Sequence, residues 1–206
     1  MLPTRQSKQE EYEKMAREFF VSSNVVFGKD AVKKLPDMLK EYGAKSVMVV
    51  YDAGVKMAGI AEKVLAEVEK ADTKVTVFDG VIPNPTNEVV EEAALLAQKE
   101  EIDVFVAVGG GSVMDIAKLA SVLATDAYTV RDLLDNPGLA GKCVPTLMIP
   151  TTAGTGSEAT PNSIVAVPEK ELKVGIVNDA MIADYVILDG EMIRHLPRKI
   201  AAATGV

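Results

Sequence analysis

The chain has 206 residues, 48% of them hydrophobic, with 22 Lys and Arg against 30 Asp and Glu for a formal net charge of −8. That composition belongs to a globular protein, and the acidic balance makes nucleic acid and anionic membranes poor partners. No apolar run approaches the roughly 18 residues of a membrane span, and residues 1–17 are charged throughout, without the apolar core of a signal peptide. The single cysteine, Cys143, excludes an internal disulfide and fits a reducing cytoplasm.

In chain order, residues 5–18 predict a charged helix or arm, and residues 19–28 two short strands around a Ser22-Ser23-Asn24 turn. Asp30 is placed to cap a helix reaching Tyr42, ended by Gly43. Residues 46–51 form a buried-type strand with Asp52 at its carboxyl end. Residues 56–70 follow as an amphipathic helix, with Ile60, Val64, Leu65 and Val68 on one face. A strand over residues 74–78 leads to the loop Asp79-Gly80-Val81-Ile82-Pro83-Asn84-Pro85-Thr86, and Thr86 or Asn87 caps a helix over residues 88–101.

The next strand, residues 103–108, meets Gly109-Gly110-Gly111-Ser112 and passes into a helix. Glycine lets backbone N–H groups approach an anion closely, and a helix N-terminus favours negative charge, so this turn is a candidate phosphate cradle. It is neither a Walker A loop, which no segment fits, nor the dinucleotide fingerprint, whose third glycine would stand where Met114 does. Residues 128–139 are expected to be irregular. A strand over residues 144–150 then ends in Thr151-Thr152-Ala153-Gly154-Thr155-Gly156-Ser157-Glu158. Residues 163–167 and 172–177 read as a hairpin, residues 186–189 as a last short strand, and the remainder as helix. Alternation of strand and helix at this spacing predicts a parallel sheet with helices on both faces and a ligand at the carboxyl ends of the strands. There Asp52, Asn84, Gly109 to Ser112 and Thr151 to Thr155 gather.

Residue by residue, the chemistry has alternatives. Asp52 either caps a helix or accepts hydrogen bonds from an adenosine ribose while repelling a 2′-phosphate, which would select NAD over NADP. Thr151, Thr152 and Thr155 either form an ordinary loop or offer hydroxyls to an adenine edge or phosphates. Asp115 either caps backbone N–H groups or positions a ribose, and Lys173 alone reads as a surface lysine. Cys143 has no histidine nearby and is read as inert. His195, the only histidine, cannot build a histidine-based metal site or a catalytic triad by itself, and no carboxylate cluster stands at ligand spacing.

Three segments in order carry a resemblance: the loop from Asp79 to Thr86, Gly109-Gly110-Gly111-Ser112-Val113-Met114-Asp115-Ile116-Ala117-Lys118, and Pro150-Thr151-Thr152-Ala153-Gly154-Thr155-Gly156-Ser157-Glu158-Ala159-Thr160. Over residues 19–206 the chain resembles the N-terminal half of the iron-containing (group III) alcohol dehydrogenases. The resemblance implies a Rossmann-like domain over residues 19–190, preceded by an arm at residues 1–18. Residues 191–206 would begin an all-helical metal domain that these residues otherwise lack. It implies NAD as cofactor, with Asp52 selecting it. Asn84, Gly110, Gly111 and Ser112 would lie at the phosphates and nicotinamide side, with Asp115 in the same motif. Thr151, Thr152, Thr155 and Thr160 would line the adenosine loop, and Lys173 would contact a ribose.

The family's metal, Fe²⁺ or Zn²⁺, is held by an aspartate just after the Ala-Ala-Thr-Gly motif and by three histidines beyond it. That motif is here Ala202-Ala203-Thr204-Gly205, so all four ligand positions are expected after Val206. Ala183 and Gly190 stand where relatives usually carry proline. The implied function is therefore the NAD-binding part of a metal-dependent dehydrogenase acting on an alcohol or aldehyde, inactive alone, with a possible homodimer through residues 19–27. The alternatives are a stand-alone nucleotide-binding module or pseudoenzyme, and the related glycerol dehydrogenase and dehydroquinate synthase branch.

Overall fold

The computed structural model describes residues 23–125, 128–141, 143–168, 171–194 and 196–204. The predicted N-terminal arm, the first of the two strands expected before Phe27, His195 and the end of the Ala-Ala-Thr-Gly motif lie outside the described residues.

Strands β1 (Asn24–Phe27), β2 (Ser46–Asp52), β3 (Lys74–Val81), β4 (Val104–Gly109), β5 (Thr146–Pro150) and β8 (Tyr185–Leu188) form a six-stranded sheet in the order β1-β8-β5-β4-β2-β3. Every pairing in it is parallel. Strands β6 (Asn162–Val167) and β7 (Leu172–Val177) form the separate antiparallel hairpin. The helices are α1 (Leu35–Glu41), α2 (Ala53–Met57), α3 (Ile60–Val68), α4 (Asn87–Lys99), α5 (Gly111–Leu123), α6 (Val130–Asp135), α7 (Gly190–Ile193) and α8 (Arg198–Thr204).

The central strands are apolar at consecutive positions because both faces are covered. Side chains alternate between two cores. Met48, Val50, Phe105, Ala107 and Met148 pack with α4 and α5 on one face. Val47, Val49, Val104, Val106, Leu147 and Ile149 pack with α1 and α3 on the other. The connections from β2 and β4 leave in opposite directions, so the crevice at their carboxyl ends is the topological switch point, where such sheets bind ligands.

Several local expectations are corrected. Asp30 does not cap its helix: it takes a left-handed conformation with φ 59° and no side-chain cap. The carboxylate of Asp189 accepts from the N–H groups of Asp30 and Val32 instead. The segment begins as a 3-10 turn, Ala31–Lys34, before α1. The helix expected over residues 56–70 is two helices, α2 and α3, separated where Gly59 adopts φ 68°. Thr86 stands at the N-cap position of α4 without a side-chain cap. Residues 128–139, expected to be irregular, contain α6, which a reciprocal capping box between Thr129 and Asp132 starts.

Candidate functional site: a cleft split by a glycine turn

Register brings the candidate residues together. Tyr51 pairs with Val108 and Gly109 with Pro150, so Asp52, the glycine turn and Thr151 emerge side by side from β2, β4 and β5. The N–H of Thr151 donates to the Gly109 carbonyl at 2.9 Å, extending that row by one step.

The turn needs glycine for space rather than for an unusual φ, since none of Gly109, Gly110 and Gly111 has a positive one. A methyl group on Gly109 would lie 2.4 Å from Cγ2 of Val113, on the first turn of α5. One on Gly111 would lie 3.2 Å from Cγ2 of Thr155, and one on Gly110 3.4 Å from Thr152. The missing side chains let the turn and the threonine loop face each other closely. No side chain caps α5 at Gly110, and its first turn carries no acidic residue. The helix therefore presents uncapped N–H groups and the positive end of its dipole at the cleft.

Two cavities meet at this turn. One, of about 350 Å³, takes Gly111 and Ser112 together with Asn84, Asp115, Thr155, Thr160 and Lys173. The other, of about 550 Å³, takes Gly110 together with Asp52, Thr151 and Thr152. All the candidate residues thus line one cavity or the other, and the Gly110–Gly111 peptide divides the two groups. The second cavity is the more apolar, with Met57, Ile60, Met192, Leu196 and Ile200 in its wall.

Within the first cavity, Nζ of Lys173 donates to Oδ1 of Asn84 at 2.6 Å, so the lysine of β7 is not an isolated surface group. Asn84 adopts φ 55° at the apex of its loop. Hairpin and loop are tied further by Ala166 N–H donating to the Pro85 carbonyl at 2.8 Å. In the second cavity Asp52 is half-buried, and its Oδ1 accepts from Val55 N–H at 2.8 Å. The capping reading of Asp52 therefore holds geometrically, and the same side chain lines the cavity.

Asp115 does not cap the backbone of its own helix. Its Oδ1 accepts from Ser157 Oγ at 2.5 Å and its Oδ2 from Ile164 N–H at 3.2 Å, while its carbonyl accepts from Ser163 Oγ at 2.8 Å. It joins α5 to the threonine loop and to β6. Asn162 was missed by the sequence reading: it lines the first cavity, and its Oδ1 is buried without a hydrogen-bond partner. A polar residue at the start of a hairpin strand gives no local signal of that kind. The apolar wall contributed by α7 and α8 was missed as well, being remote in sequence from every motif.

The description "Iron-containing alcohol dehydrogenase" belongs to the family profile that matches residues 22–190, and the chain belongs to that family. Among curated relatives it is 35% identical over 182 residues to long-chain-alcohol dehydrogenase 1 of Geobacillus thermodenitrificans, covering 87% of this chain and 46% of the relative. It is 33% identical over 194 residues to lactaldehyde reductase of Escherichia coli, covering 93% and 51%. Among solved structures, NADH-dependent butanol dehydrogenase A of Thermotoga maritima superposes with a TM-score of 0.85 at 26% identity, over 92% of this chain and 48% of that one. Sulfoacetaldehyde reductase of Bifidobacterium kashiwanohense, solved in complex with NAD⁺, gives 0.82 at 29% identity, over 93% and 50%. The chain spans about half the length of the relatives it matches.

Proposed function

We propose that this chain is the NAD-binding part of a metal-dependent alcohol dehydrogenase, residues 19–190 forming the dinucleotide unit and residues 191–206 the first turns of a helical domain. The observation that carries the reading is the division of one cleft by an uncapped glycine turn. NAD is two nucleosides joined by a pyrophosphate, and the cleft has two chambers joined at an anion-favouring helix end. The residues present fit that group: the turn is a cradle that added Cβ atoms would crowd, and its helix end is left uncapped.

In this assignment Gly110, Gly111 and Ser112 hold the pyrophosphate. Asp52, Thr151 and Thr152 hold the adenosine, whose base lies against the apolar wall. Asn84, Thr155, Thr160 and Lys173 face the nicotinamide half, and Asp115 shapes that chamber through the groups it binds. The carboxylate of Asp52 repels a 2′-phosphate, so NAD is preferred over NADP. When bound, the nicotinamide supplies or accepts a hydride against an alcohol or aldehyde. Among the described residues no group of three or more His, Cys, Asp or Glu could hold a metal ion, so these residues do not fit the family's metal. Turnover is accordingly expected only together with a metal-bearing helical domain.

Titrating the chain with NADH while following nicotinamide fluorescence tests the site, and saturable enhancement is expected. No detectable binding of NADH or NADPH would refute it. Alcohol-dependent NAD⁺ reduction by the 206-residue chain supplied with Fe²⁺ or Zn²⁺ would refute the dependence on a further domain.

A further inference from the structure

Lys118 is buried, with 1% of its surface exposed, and the function above gives it no task. It stands on α5 in the series Gly111, Asp115, Lys118, spaced to fall on one face of the helix. The face that presents the glycine turn to the cleft therefore also carries this ammonium group. Nζ donates to the Ser157 carbonyl at 2.8 Å, to Ser157 Oγ at 2.9 Å and to the Thr160 carbonyl at 3.3 Å, and it also meets the Asn162 carbonyl. Asp115 Oδ1 lies 3.5 Å away.

A buried cation is costly unless its hydrogens are matched, and main-chain carbonyls turned toward one point repel each other unless a cation lies between them. Each condition supplies what the other needs. We propose that Lys118 is the positioning residue of this cleft: it gathers the carbonyls of Ser157, Thr160 and Asn162 and so sets the chamber wall that carries Thr160 and Asn162. The proposal rests on the dinucleotide reading. The adenosine chamber is held differently, through Thr151 N–H on the Gly109 carbonyl and Asp52 on Val55 N–H. Loss of Lys118 should therefore act on one chamber only.

The test compares ligands that need different chambers. In Lys118→Met, which keeps the length and apolar stem, NADH affinity should fall about tenfold or more, while AMP affinity stays within about twofold of wild type. Hydrogen exchange should accelerate at residues 157–164 and remain unchanged at residues 52–55. Equal losses for NADH and AMP, or no loss, would overturn the assignment. If the wild type bound no dinucleotide, the site reading would fail, and the exchange pattern alone would still decide the lysine: uniform or unchanged exchange refutes it. Should Lys118→Met not fold, Ser157→Ala removes one acceptor and the link to Asp115, and is read by the same comparisons.

Discussion

Lys173 and Asn84 are separated by 89 positions in the chain and joined by a 2.6 Å hydrogen bond across the mouth of the first chamber. The bond orients two groups at once, and in the proposed assignment the other ammonium hydrogens and the asparagine amide are those that meet the nicotinamide half of the cofactor. Lys173→Ala and Asn84→Ala should each weaken NADH binding. The double variant should lose less than the sum, with a coupling of about 0.5 kcal/mol or more, because each partner loses its orientation when the other is removed. A double-mutant cycle on NADH titrations measures this, and strictly additive losses would show that the two act separately.

Asp52 combines a structural and a proposed functional task, and substitution can divide them. Asp52→Ala removes the cap on Val55 N–H, which should cost about 1 kcal/mol of stability. Asp52→Asn keeps an acceptor oxygen and should melt close to wild type. Both remove the carboxylate charge, so both should narrow the preference for NADH over NADPH. Thermal melts combined with titrations of the two cofactors separate the effects. Full discrimination retained in Asp52→Asn would contradict the electrostatic account.

The central sheet was readable because β2, β4 and β5 carry their burial in consecutive apolar residues. The candidate residues were readable because loops at strand ends concentrate glycine, threonine and acidic side chains. Their grouping was not, because it depends on the register that sets Tyr51 beside Val108. Long-range satisfaction was equally hidden. The N–H groups at Asp30 and Val32 find their acceptor in Asp189, and the carbonyls of Ser157, Thr160 and Asn162 find their donor in Lys118. No periodicity reports a partner that distant. The helix α6 is a different case, since Thr129 and Asp132 formed a local capping signal hidden among turn-forming residues.

Cys143 illustrates burial acting on reactivity. Desolvation, with the negative charge of Asp184 adding to it, pushes its thiol up to about 11. The reactive thiolate is therefore scarce at neutral pH. Iodoacetamide should alkylate the native chain much more slowly than the urea-unfolded chain, with the native rate climbing as pH approaches 11. Mass spectrometry of the modified protein reads both rates. Rapid native alkylation at neutral pH would contradict the partly buried, thiol-form description.

Gly154 adopts φ 145°, and a methyl group there would fall 1.4 Å from the Thr204 carbonyl oxygen. The threonine loop and α8 therefore touch backbone to backbone, and α8 contributes Ile200 to the more apolar chamber, the one proposed to hold the adenosine. Gly154→Ala combines a strained backbone with a clash, which should cost more than about 1 kcal/mol. It should also weaken AMP binding by displacing that apolar wall. Denaturant melts and AMP titration check the two effects. An alanine variant with unchanged stability and AMP affinity would show that α8 does not depend on this contact.

The buried ammonium of Lys118 should make stability and binding respond to pH in opposite directions. Burial lowers its pKa from the ordinary 10.5, and the charges of Asp115 on the same helix and Glu158 on the loop oppose that shift. Between the lowered value and 10.5 the unfolded chain keeps a proton that the native chain has released, so the native state gains stability from this residue as pH rises. At lower pH both states are protonated, and the fold carries the full cost of desolvating the charge. Deprotonation also removes a donor from the Ser157, Thr160 and Asn162 carbonyls, which should loosen the chamber wall. From neutral pH toward 10.5, the stability difference between wild type and Lys118→Met should move in favour of wild type. Over the same range the NADH affinity of wild type should fall relative to that of Lys118→Met. Denaturant melts and NADH titrations at matched pH measure the two slopes. Parallel slopes would show that protonation of Lys118 does not set the loop.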